Sequence, residues 1–145
     1  MNREILFRGK SVETNEWVYG SYVLEKYSNT PYICYFEYGT FVNIKQIEVY
    51  PETVGEFTGI IINDNNVFEG DIVKRTGGLK LIVGEVVMNC GPLIRYSDEY
   101  SDDGYSFASF SQNEYWQDGN ASGECKYRFS LLGNKFDNPE FLSKE

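Results

Sequence analysis

The side chains able to do chemistry here are limited in kind. The sequence contains no histidine. That excludes Ser-His-Asp and Cys-His triads, His-ligated metals and imidazole acid–base chemistry. The three cysteines, Cys34, Cys90 and Cys125, stand far apart with no C-x-x-C pair, so neither a zinc ribbon nor a dithiol redox motif is present. An odd set of widely spaced cysteines fits a reducing cytosol. Cys34, between Ile33 and Tyr35 in an apolar stretch, reads as a buried thiol. There is no P-loop, no G-x-G-x-x-G and no G-x-S-x-G. Ser106 and Ser109 therefore lack a histidine to act as their base.

Carboxylates are the one plentiful catalytic group, with 22 Asp and Glu. Asp98, Glu99, Asp102 and Asp103 form a cluster that invites two readings, a hard-cation site and a carboxylate hydrolase. Counted from Asp98, an EF-hand loop needs Asp or Asn third and Gly sixth; Tyr100 and Asp103 stand there instead. A solvated acidic loop accounts for the cluster. Asn63-Asp64-Asn65-Asn66 likewise reads as a hairpin turn. The sequence thus implies no catalytic residue, no metal site and no cofactor.

Among the cations, Lys74, Arg75 and Lys80 flank Gly77-Gly78 and make a candidate nucleic-acid contact. Tyrosine and phenylalanine could stack bases beside them, a mode that also needs a positive groove. The balance of 13 Lys and Arg against 22 acids gives a net charge of −9, which opposes phosphate binding. That balance argues against a dedicated duplex reader without forbidding a local patch, and solvation of the strand ends is the simpler role for these cations.

The elements that must position these groups are strands. Aromatic residues make up 17% of the chain, and they fit half-buried pleated surfaces. In Pro31–Tyr38, Tyr32, Cys34, Phe36 and Tyr38 alternate against Ile33, Tyr35 and Glu37. Trp17–Leu24 alternates in the same way, with Gly20 as a bulge or close-approach point. Further strands are expected at Glu4–Phe7, Phe41–Ile44, Ile47–Tyr50, Glu56–Ile62, Asp71–Arg75, Leu79–Met88, Tyr105–Phe110 and Glu124–Leu132. Gly77-Gly78 closes a hairpin between Asp71–Arg75 and Leu79–Met88. Near the C-terminus, Asn138, Pro139 and Glu140 carry the signals of a short helix's first turn, and a second short helix is expected at 113–117. Segment 97–123 is polar and acidic and reads as a long loop excursion.

At 145 residues the chain is one domain's worth. No run approaches the ~18 apolar residues of a membrane span, and Met1–Ile5 has no apolar leader. A cytoplasmic location is expected, with no membrane partner.

Three strings carry a family resemblance. The first is Arg3–Lys10 with Trp17-Val18-Tyr19-Gly20. The second is Thr53–Gly59 with Phe68-Glu69-Gly70-Asp71-Ile72-Val73, and the third is Leu132–Leu142. In this order and spacing they resemble the YopX family of bacteriophage, prophage and mobile-element proteins. About Tyr22 to Tyr50, and 97–123, carry no family motif. The resemblance implies an accessory protein with no catalytic residues to transfer. The motif glycines Gly9, Gly20, Gly55, Gly59 and Gly70 read as turns or bulges, and Phe7, Trp17, Phe57 and Phe68 as core.

The expected fold is therefore mainly β: one domain, 1–145, built as a small SH3-like barrel with additional N-terminal strands and a short C-terminal helix. The expected function is non-enzymatic, a protein-binding or assembly module. Its expected partners are a host or phage protein and further copies of itself in a homo-oligomer, since many aromatics suit interface anchors. Nucleic acid, through Lys74, Arg75 and Lys80, is the alternative partner.

Overall fold

A computed structural model describes residues 4–76, 80–110 and 128–142. It is mainly β, in two antiparallel sheets, and the helical segments among the described residues are two 3-10 turns. The strands are β1 (Phe7–Lys10), β2 (Trp17–Glu25), β3 (Thr30–Glu37), β4 (Asn43–Glu48), β5 (Gly55–Ile62), β6 (Asn65–Phe68), β7 (Asp71–Thr76), β8 (Ile82–Met88), β9 (Pro92–Ser97), β10 (Tyr105–Ser109) and β11 (Arg128–Asn134). One sheet has the order β4-β3-β2-β1-β5-β6, the other β10-β9-β8-β7-β11. Contacts divide the chain inside β5 into two compact units, Met1–Phe57 and Thr58–Glu145.

In the first unit, β2, β3 and β4 form a meander in which Tyr22 faces Ile33 and Ile33 faces Ile47. Alternation sends Ile33 to one face, where it is fully buried, and Cys34 to the other. Cys34 is thus half-buried, not the buried thiol expected from its apolar neighbours. Gly20 is a close-approach point, as expected: a Cβ there would run into the Cys34 carbonyl oxygen. Thr53, in the 3-10 turn Pro51–Thr53, ties the unit's strings together. Its hydroxyl accepts from the Lys10 amide at 2.9 Å and donates to the Tyr50 carbonyl at 2.6 Å.

In the second unit, Asn63 and Asp64 both adopt positive φ, 50° and 67°, and make a tight turn between β5 and β6. Side chains from seven strands, β5 to β11, then meet in one core. Val73, Ile82, Val86 and Ile94 are buried in it, and Phe110 and Phe129 pack edge to face with centroids 5.0 Å apart.

Several expectations are corrected. The strand expected at Glu4–Phe7 begins only at Phe7, because Arg8, Gly9 and Lys10 are the residues that pair with β2. The two short strands expected at Phe41–Ile44 and Ile47–Tyr50 are one strand, β4, since Lys45 and Gln46 continue the pairing with β3. β6 and β9 are additional to the expected strands; the Asn63–Asn66 turn is confined to Asn63-Asp64, and Asn65 and Asn66 already belong to β6. The start of the acidic excursion is a hairpin arm, with β10 paired to β9 from Tyr105–Ser97 through Ser109–Leu93. The C-terminal helix is a 3-10 turn, Pro139–Leu142. The reason lies at Asn138, whose side-chain oxygen accepts from the Asn134 amide behind it at 3.3 Å instead of capping a helix ahead. Of the expected core residues, Phe57 and Phe68 are buried, whereas Phe7 and Trp17 are half-buried. Trp17 carries the Arg8 guanidinium 4.4 Å above its ring. The Gly77-Gly78 turn, the short helix at 113–117 and Cys125 lie outside the described residues.

Candidate functional site

Two surfaces carry enough unusual side chains to be considered, one in each unit. In the first unit it is the β3–β4 hairpin. Period-two alternation puts Phe36 beside Ile44 on one face of the meander. The connecting segment adds Tyr38, Phe41 and Val42. Exposure is 58% for Phe36, 76% for Tyr38, 78% for Phe41 and 70% for Ile44. The Phe36 and Tyr38 rings lie 6.3 Å apart. Contiguous exposed apolar surface of this kind marks interaction sites. β4 is also the outermost strand of its sheet.

In the second unit the surface is a shallow cleft of about 100 Å³ lined by Val83, Glu85, Arg95, Ser97, Tyr105 and others. Glu85 and Arg95 face one another across β8 and β9. Glu85 accepts from the Lys135 ammonium at 2.8 Å, and the Arg95 guanidinium lies 4.0 Å from its other oxygen. Arg95 also stacks 3.6 Å from the Tyr105 ring centre. Each charge in the cleft thus has a partner, and the cavity is far below the ~300 Å³ typical of small-molecule sites. This is a structural ion cluster. Sequence reading missed it because Lys135 and Glu85 are fifty residues apart; the signal available was a lone Glu between Val83 and Val87 on an outward position.

The candidate nucleic-acid residues are not gathered on one surface. Lys74 and Arg75 are consecutive in β7, opposite Val83 and Ile82, so they point to opposite faces of the sheet. Lys80 lies 4.9 Å over the Tyr96 ring and 3.9 Å from Asp98. The acidic cluster is likewise used locally. Asp98 accepts from the Tyr100 amide at 3.0 Å and the Ser106 hydroxyl at 2.8 Å, and Asp103 accepts from the Tyr105 amide at 3.1 Å. These carboxylates close the β9–β10 turn. Among the described residues, no three His, Cys, Asp or Glu are grouped to hold a metal ion.

The recurring strings instead build joints. The Asp71 carboxylate, buried, accepts from the Phe68 amide at 2.8 Å and closes the turn through Gly70, whose φ is +95°. The Lys135 amide donates to the Gly70 carbonyl at 2.9 Å, joining the second string to the third. A family model described as "YopX protein" matches residues 6–143. The chain belongs to the YopX family. No curated protein and no solved structure matches it. The YopX strings therefore map onto turn closures and strand pairings, while the exposed β3–β4 hairpin falls in the stretch that carries no family motif. No helix among the described residues is long and apolar enough to cross a membrane.

Proposed function

We propose that this YopX protein is a non-enzymatic accessory protein of phages and mobile elements that works in the host cytoplasm as a protein-binding and assembly module. The observation that carries the reading is the exposed apolar hairpin, Phe36 to Ile44. Buried aromatic anchors dominate protein–protein binding energy, and this hairpin presents three aromatic side chains at a sheet edge. The paired-off charges around Glu85 and the turn-closing role of Asp98 and Asp103 support a non-catalytic reading of the second unit. The order of that unit's five-stranded sheet, with β11 beside β7 and then the meander β7-β8-β9-β10, supports an SH3-like barrel. The test is a photo-crosslinking residue placed at Phe41 in cells. Discrete covalent adducts from position 41, and none from the exposed position Leu81, are expected. Equal or absent labelling at both positions would remove the hairpin from the function.

A further inference from the structure

We infer that β4 pairs with β4 of a second copy of this chain, antiparallel across a twofold axis at Ile44, so that two first-unit sheets join edge to edge. This rests on the assembly reading above and specifies its partner and register.

The free backbone groups of β4 follow from its pairing. The Val49 amide donates to the Pro31 carbonyl at 3.1 Å, toward β3. The Glu48 carbonyl accepts from the Val12 amide at 3.0 Å, away from β3. Antiparallel alternation then turns the N–H and C=O of Lys45 and Ile47 toward β3, and those of Ile44 and Gln46 outward. The turn that begins at Ser11 covers the strand only at its Glu48 end. Ile44 and Gln46 are left as an open edge, the template on which another strand adds.

The register is restricted by charge and by that cover. A twofold at Lys45 would set Lys45 against its own copy, and like charges directly opposite are destabilising. A twofold at Gln46 would bring the second strand to Glu48, whose outward carbonyl is already used. A twofold at Ile44 meets neither obstacle. It places Ile44 beside Ile44 of the second copy and Asn43 opposite Lys45 of the second copy. Phe36 already flanks Ile44 on the same face, so the junction becomes a continuous apolar strip of two Phe36 and two Ile44 side chains. Charge permits a second copy at this edge although the chain as a whole is acidic. The segment from Phe36 to Ile47 holds one acid, Glu37, and one base, Lys45, 3.5 Å apart, within a protein of net charge −9. Two such edges meet without net repulsion.

Sedimentation equilibrium of the full chain tests this. A dimer is expected, and Ile44→Lys should return it to monomer with its thermal unfolding still cooperative, since Ile44 is mostly exposed within one copy. The register has its own readout. Asn43→Asp puts a carboxylate opposite Lys45 at two symmetric positions and should tighten the dimer about tenfold, while Asn43→Lys should weaken it by a similar factor. Leu81→Ser, at an exposed residue of the second unit, should change nothing. A dimer indifferent to Ile44→Lys, or one that responds alike to Asn43→Asp and Asn43→Lys, overturns the pairing. A monomer at every concentration also overturns it. If such a monomer still gives adducts from position 41, the hairpin binds another protein and the protein-binding reading stands; if it gives none, both fall.

Discussion

At the scale of single residues, two positions show how backbone geometry dictates residue type. Gly20 sits where β2 crosses close to β3, and the atom a Cβ would meet is a backbone carbonyl oxygen, which cannot rotate away. Gly20→Ala should destabilise the first unit by about 1–3 kcal/mol, read from the urea midpoint. An unchanged midpoint would mean the strands separate freely at that point. Glu25, at the end of β2, is the second case. The Ser28 hydroxyl donates to its carboxylate, as do the amides of Ser28 and Tyr27, and together they hold it below the usual carboxylate range. A depressed carboxyl contributes stability at pH above its unfolded value, and loses it as pH falls through the folded value. Wild type should therefore be more stable than Glu25→Gln at neutral pH, and the two should converge in acid. A constant gap between their unfolding curves down to low pH would show that the turn does not depend on the ionised carboxylate.

At the scale of elements, the β5–β6 hairpin offers a sharp test of turn chemistry. Asn63 and Asp64 both hold positive φ, the requirement of a two-residue turn whose twist matches its strands. Asp tolerates that conformation less well than glycine. Asp64→Gly should raise stability by about 0.5 kcal/mol, measured as a higher midpoint at constant denaturant slope. A loss would show that the aspartate side chain contributes more than the relief of its backbone. Much of this level was legible beforehand. The alternating aromatic and β-branched residues of Trp17–Leu24 and Pro31–Tyr38 placed β2 and β3 within a residue or so, because such side chains favour extended, pleated backbone. β6 and β9 were missed for the opposite reason. Asn65, Asn66 and Pro92 carry turn propensity, and pairing with the neighbouring strands β5, β8 and β10 outweighs it.

At the scale of the whole molecule, charge sets what the protein avoids. With a net charge of −9, and with Lys80 held beside Asp98, binding of DNA should be undetectable at roughly 0.15 M salt. Gel retardation with single-stranded and duplex DNA checks this. A complex that strengthens as salt is lowered, and that Lys74→Ala weakens, would restore the basic residues as a contact.

What the sequence determined by itself was what local pattern and composition can encode: the β class from alternation, the absence of histidine chemistry, the acidic charge, and the family from three strings in register. What only the tertiary structure decided depended on which strands become neighbours. Pairing brought Lys135 to Glu85 and Lys80 to Asp98. It also left Phe36 and Ile44 side by side on an uncovered edge. Alternation assigns a residue to one of two faces, but only the pairing of strands distant in sequence says whether that face is buried, matched or open.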